Sequence, residues 1–137
     1  MARILLIDDE PQVLALLGEF LEQQGHEVRE CSNGTEGIRA FKQTHFNLVI
    51  MDLLLPDKDG ADTLRELKEQ QGQVIVLVMS GGFYLGPEET LVDIAQDLGV
   101  RAALAKPFHL QDFLAVVDQC LASSLIPIQH HLPSRQA

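Results

Sequence analysis

Asp8 and Asp9, Asp52, Ser80 and Lys106 each follow directly on one of four short apolar runs, and together they offer three carboxylates, a hydroxyl and an ammonium. If the runs are strands of one parallel sheet, all five residues share a rim, because ligands of open α/β sheets bind outside the carboxyl ends of the strands. Carboxylates held close together repel and resist ionising together, so such a group calls for a cation. A hard divalent ion fits: Mg²⁺ takes oxygen ligands, keeps several waters and is usually held through one or two carboxylates plus a phosphate. Ser80 and Lys106 would then meet phosphoryl oxygens, one as hydrogen-bond donor and the other as point charge. Asp52, alone at its strand tip, is the candidate nucleophile, since carboxylates are documented phosphoryl acceptors.

The elements that must position these residues show as a regular alternation. Residues 4–7 form a continuous apolar run ending in acids, the pattern of a strand covered on both faces. Pro11 suits a first helical turn, and Val13, Leu14, Leu16, Leu17, Phe20 and Leu21 recur at helical spacing until Gly25 stops the run. The unit repeats with a strand over 28–31, a turn at Asn33-Gly34 and a helix over 36–42. A strand over 48–51, a loop rich in Pro, Asp and Gly, and a helix over 61–70 follow. Residues 74–79 are a fourth strand, followed by a long connection punctuated by Gly81-Gly82 and Gly86-Pro87. Glu88-Glu89 open a helix closed by Gly99, residues 100–105 are the last strand, and Leu110, Phe113, Leu114, Val117 and Leu121 mark a last helix. Five strands alternating with five helices imply an α/β fold whose parallel sheet carries helices on both faces, given right-handed crossovers.

The 137 residues include 10 Lys+Arg against 20 Asp+Glu, a formal net charge of −10. That acidity argues against direct binding to nucleic acid or to an anionic membrane, both of which need Lys and Arg to neutralise phosphates. Cys31 and Cys120 stand far apart and outside any CxxC pattern, so they fit neither a disulfide framework nor a zinc site. The apolar runs are too short for a signal-peptide core or a membrane span. The expectation is a reduced, cytoplasmic protein with one domain over residues 1–122 and a short, mobile tail over 123–137 that lacks periodicity.

Taken in order, the motifs are Asp8-Asp9 after the first strand, the run from Met51 to Pro56 continuing to Asp59-Gly60, Ser80 after the fourth strand, and Lys106-Pro107-Phe108. In this spacing the chain resembles the receiver domain of two-component response regulators over roughly residues 2–122. The resemblance implies a flavodoxin-like, doubly wound five-stranded parallel sheet of order 2-1-3-4-5 flanked by five helices. It further implies that Asp52 accepts a phosphoryl group from a phosphohistidine on a partner histidine kinase or phosphotransfer protein. Asp8, Asp9, Asp52 and the backbone carbonyl of Leu54 would hold Mg²⁺, Ser80 would hydrogen-bond the phosphoryl group, and Lys106 would pair with it. With no output domain expected, the chain would act as a stand-alone regulator that catalyses only its own phosphorylation and dephosphorylation and reports to a downstream target protein. The reporting surface in this family is formed by the fourth helix, fifth strand and fifth helix, which draws attention to Leu91, Val92, Ala102 and Leu104.

The chain departs from the family pattern at Ala103, where an aromatic three residues before the lysine usually turns inward as the hydroxyl moves toward the phosphoryl group. An alanine has no rotamer to switch, and Phe83 or Tyr84 in the long connection after Ser80 is the candidate replacement. Leu54 and Gly82, two residues beyond Asp52 and Ser80, occupy positions that influence dephosphorylation in the family, and neither can position a water. Each site residue taken singly also has a purely structural reading, the acids before Pro11, for example, as first-turn residues favoured by the helix dipole. Their joint occurrence at four strand ends is what favours a site. A hydrolase of the haloacid-dehalogenase type would place its nucleophile and acid after the first strand as DxD, a pattern absent after this chain's first strand. A phosphorylation-independent interaction module with a receiver fold is the remaining alternative, made credible by Ala103.

Overall fold

The computed structural model describes residues 1–81 and 96–122. Five strands, β1 (Arg3–Ile7), β2 (Glu27–Cys31), β3 (Leu48–Asp52), β4 (Val76–Gly81) and β5 (Ala102–Lys106), pair in parallel in the order β2-β1-β3-β4-β5. Among the described residues the helices are α1 (Pro11–Gln23), α2 (Gly34–Gln43), α3 (Gly60–Gln70) and α4 (Leu110–Ala122), and residues 96–98, between β4 and β5, are helical as well. This is the expected doubly wound sheet.

The continuous apolar runs are explained by the period of two along a strand, which sends alternate residues to opposite covered faces. Ile4, Leu6, Ile50, Leu77 and Leu104 pack with Leu14, Leu17 and Leu21 of α1 and Phe113 and Val117 of α4. Leu5, Ile7, Met51, Val78 and Ala103 pack on the other side with Ile38 and Phe41 of α2 and Leu64 and Leu67 of α3. Ala102 and Leu104 are thus fully interior, which corrects the expectation that they belong to an outer reporting surface: in a strand covered on both faces neither parity reaches solvent. Leu91 and Val92 lie outside the described residues. Leu16 is also corrected, being 54% exposed, because the spacing 14, 17, 21 sets the buried stripe of α1 and residue 16 falls outside it.

Local chemistry sets the element ends. Helix α1 stops in a Schellman motif, with Gly25 at φ 93°, its N–H donating to the Glu22 carbonyl at 2.9 Å and the His26 N–H to the Leu21 carbonyl at 3.2 Å. Helix α2 starts two residues before the expected 36, because Asn33 Oδ1 accepts from the Glu36 N–H at 2.8 Å and Asp57 accepts from the Gly34 and Thr35 N–H groups. A side chain at Gly37 would place its Cβ 2.4 Å from Ile7 Cδ1, so glycine is what lets α2 sit directly on β1. Strand β4 begins two residues later than the apolar run, since the Val74 N–H turns back to the Gln71 carbonyl, and it runs on through Ser80 and Gly81 because both pair with β5. Among the described residues no helix is long and apolar enough to cross a membrane.

Candidate functional site

The alternation that builds the two cores also aims the polar residues. On β3, Leu48 and Ile50 face α1 and α4, so Asp52 at the strand end faces the same way. On β5, Ala102 and Leu104 share that parity with Lys106. Asp8 continues the Ile4 and Leu6 parity one residue beyond β1, where its N–H still pairs with the Cys31 carbonyl at 3.1 Å. Ser80 has the opposite parity, with Val76 and Val78, and lies one residue past Met79, the register partner of Asp52.

Asp8, Asp52 and Lys106 therefore converge. The Lys106 Nζ donates to Asp52 Oδ2 at 2.7 Å and to Asp8 Oδ2 at 2.8 Å, and a third carboxylate, Glu10 Oε1, stands 3.5 Å from it. The other oxygens of the two buried acids accept from the backbone: Asp8 Oδ1 from the Glu10 N–H and Asp52 Oδ1 from the Leu54 N–H, both at 2.9 Å. Asp8 is fully buried and Asp52 nearly so, whereas Glu10 is exposed. One carboxylate oxygen from each of Asp8, Glu10 and Asp52 lies within 4.8 Å of the others. Three carboxylates around one ammonium leave two negative charges in surplus, and an all-oxygen donor set with that surplus suits a hard divalent cation.

The electrostatics follow from burial and contact. Burial pushes the Asp8 carboxyl up, against the opposing pull of Lys106. Burial works against the Lys106 charge, but the hydrogen bonds it donates to Asp52 and Asp8 outweigh it and hold the ammonium well above its ordinary range.

Of the residues nominated from sequence, the structure joins Asp8, Asp52 and Lys106 in direct contact. Leu54, 36% exposed, is fixed beside Asp52 through its N–H and bridges to Asp59. Ser80 is fully buried at the same sheet edge, its hydroxyl donating to the Gly81 carbonyl at 3.2 Å. Asp9 is exposed and stands apart from the carboxylate group, in which Glu10 is found instead. Gly82, Phe83 and Tyr84 lie outside the described residues, as does the segment 123–137. Sequence reading left Glu10 out of the carboxylate group. Glu10 carried a signal, an acid adjoining the acidic pair. Asp57 lies in the loop after β3 and fixes it to the start of α2, its Oδ2 accepting from Thr35 Oγ1 at 2.6 Å and from the Thr35 N–H, and its Oδ1 from the Gly34 N–H. Burial works to raise the Asp57 carboxyl, but these bonds together outweigh it and hold the carboxyl down at about 2.

Comparison with known proteins gives a consistent picture. The family model for the response regulator receiver domain matches residues 4–118. The chain is 28% identical to the chemotaxis protein CheY of Bacillus subtilis over 120 residues, covering 87% of this chain and 97% of that one. A crystal structure of a response regulator receiver domain protein from Clostridium thermocellum superposes with a TM-score of 0.77 at 32% identity, over 88% of this chain and 94% of that one. The response regulator protein TrrA of Thermotoga maritima, solved in complex with Mg(2+)-BeF, superposes with a TM-score of 0.75 at 25% identity, over 88% of this chain and 100% of that one. Two transcriptional regulatory proteins among its curated relatives are longer, and this chain spans 50% and 53% of their length.

Proposed function

The chain belongs to the receiver-domain family of two-component response regulators, and from that premise we propose that Asp52 is its phosphoacceptor. The observation that carries the proposal is the double contact of Lys106 with Asp52 and Asp8, at 2.7 and 2.8 Å. An oxygen of Asp52 forms a bond to phosphorus as the P–N bond of a partner's phosphohistidine breaks, and the electron pair returns to the imidazole ring. Phosphoryl transfer needs little covalent help from a protein beyond positioning and charge stabilisation. The backbone N–H of Leu54 fixes the carboxylate, and Lys106, released from Asp52 as that oxygen loses its charge, pairs with a phosphoryl oxygen. Ser80, whose hydroxyl is held by a neighbouring carbonyl at the long distance of 3.2 Å, turns to donate to another. Asp8, Asp9, Asp52 and the Leu54 carbonyl are the groups proposed to hold Mg²⁺. When bound, that ion neutralises charge on the transferring group and so lets the acids and the phosphate coexist.

Residues 1–122 form the receiver in this reading, and 123–137 a tail. Its partners are a histidine kinase or phosphotransfer protein and a downstream target protein, reached through a changed surface rather than by turnover of a substrate. Action through a changed surface without an attached output domain is part of this proposal. The net charge of −10 speaks against direct nucleic-acid contact, and the two unpaired cysteines suit the cytoplasm.

Intact-mass measurement after incubation with Mg²⁺ and a small acyl phosphate tests the proposal. The expected result is a gain of one phosphoryl group that is lost with Asp52→Asn and with chelator. A chain that stays unmodified while remaining folded refutes the proposal and leaves a phosphorylation-independent interaction module, the reading that the interior, switchless Ala103 would then favour.

A further inference from the structure

Glu10 is not among the groups proposed to hold Mg²⁺ directly, yet its carboxylate is the third member of the oxygen group at the rim. Its Oε1 lies 3.5 Å from Lys106 Nζ and within 4.8 Å of the oxygens of Asp8 and Asp52. The other two are interior, whereas the Glu10 side chain is 63% exposed, so it stands on the side from which an ion must arrive. Its backbone is anchored, since its N–H donates to Asp8 Oδ1 at 2.9 Å. A shift of this residue therefore moves a hydrogen-bond donor of the innermost acid. Asp9 is exposed and lies outside this oxygen group. Lys106 alone cannot balance Asp8, Asp52 and Glu10, and the surplus of two negative charges matches one dication.

We propose that Glu10 is a positioning residue for the divalent cation, its carboxylate holding the hydrated ion at the open rim of the Asp8–Asp52 pocket and thereby setting the affinity of the site. The inference rests on the receiver reading above and adds to it a residue outside the motif that carried the resemblance. A carboxylate about 5 Å from a divalent ion in a half-solvated rim, partly screened by salt, is worth about a fivefold difference in dissociation constant.

Calorimetric titration of the unphosphorylated protein with Mg²⁺, and with Mn²⁺ followed by electron paramagnetic resonance, reads this affinity without any phosphoryl transfer. The variants are Glu10→Gln, Asp8→Asn and, as a control for net charge, Glu19→Gln on the exposed face of α1. The expected result is that Glu10→Gln binds both ions about fivefold more weakly, Asp8→Asn loses most binding, and Glu19→Gln matches the wild type. Thermal unfolding of the ion-free proteins separates a structural effect of the residue preceding Pro11, which would move the melting temperature and leave the dissociation constant alone. Wild-type affinity in Glu10→Gln with binding lost in Asp8→Asn overturns this inference and leaves the receiver reading standing. Equal weakening in Glu10→Gln and Glu19→Gln overturns it too, as a net-charge effect. Absence of binding in the wild type instead counts against the receiver reading's use of Mg²⁺.

Discussion

Replacing Lys106 by Met keeps the length of the side chain and removes its charge, which isolates what the ammonium does for the fold. Asp8 is fully buried and the Asp52 side chain is 8% exposed, and each would lose a charge-assisted bond of 2.8 or 2.7 Å. Hydrogen bonds to charged groups contribute about 1.5–3 kcal/mol each, and stripping one partner from a buried ion pair costs about 3–5 kcal/mol. The penalty has a ceiling, because the Asp8 carboxyl is already pushed up by burial and takes a proton once its partner is gone. The lower end, about 3 kcal/mol, is therefore the expected loss. A ligand that binds only the folded chain returns about 2.7 kcal/mol at a hundred times its dissociation constant. Saturating Mg²⁺ should then restore most of the stability of Lys106→Met and stabilise the wild type less, since in the wild type the ion must share the acids with the lysine. Urea unfolding at neutral pH, followed by circular dichroism in chelator and in Mg²⁺, measures all four stabilities. Equal midpoints for variant and wild type in chelator, or an equal Mg²⁺ shift in both, would refute the reasoning.

Two further outcomes follow from the interior and from the loop after β3. Asp57→Asn should destabilise the fold at neutral pH by about 1 kcal/mol, as for loss of a helix cap. Because the Asp57 carboxyl is held down at about 2 from an ordinary 3.8, its contribution is complete above 3.8 and fades as pH falls toward 2. The stability gap between variant and wild type should accordingly close across that window in acid unfolding curves, and a gap that widens there would contradict the assignment. Cys31 and Cys120 are interior, with burial raising both thiols, Cys120 to about 12. Thiol-reactive dyes should label neither in native buffer and both in urea, so rapid native labelling of Cys120 would show that the face packed by α4 opens readily, and of Cys31 that the face packed by α2 and α3 does.

The fold was legible because the central strands β1, β3 and β4 are covered on both sides, and an apolar run of four or five residues ending in a polar one marks such a strand, whereas the edge strand β2 is largely exposed and carries no such run. The same coverage hid the strand limits. Apolar character reports burial, and Val74 is apolar and half-buried in a turn, while Ser80, Gly81 and Lys106 are polar or small and paired. At the site, residue type and strand end sufficed for Asp8, Asp52 and Lys106, whose shared parity brings them together. That Glu10 joins the oxygens of Asp8 and Asp52 could not be read in advance, because it depends on how the chain turns from β1 into α1, which no spacing records. The partners of Asp57 were hidden for a different reason: the N–H groups it satisfies are 22 and 23 residues away.

The segment from Leu53 to Gly60 is tied down along its length. Leu54 bridges to Asp59, the Gly60 N–H returns to the Leu53 carbonyl at 3.2 Å, Asp57 clasps the first turn of α2, Lys58 pairs with Glu66 of α3, and Asp59 accepts from the Ala61 N–H. A free loop would lose roughly 1–2 kcal/mol of backbone entropy per residue on being ordered against a docking partner. Here that ordering is already complete before any partner arrives, so the energy of an encounter on this side of Asp52 is left for discrimination between partners instead of being consumed in shaping the loop.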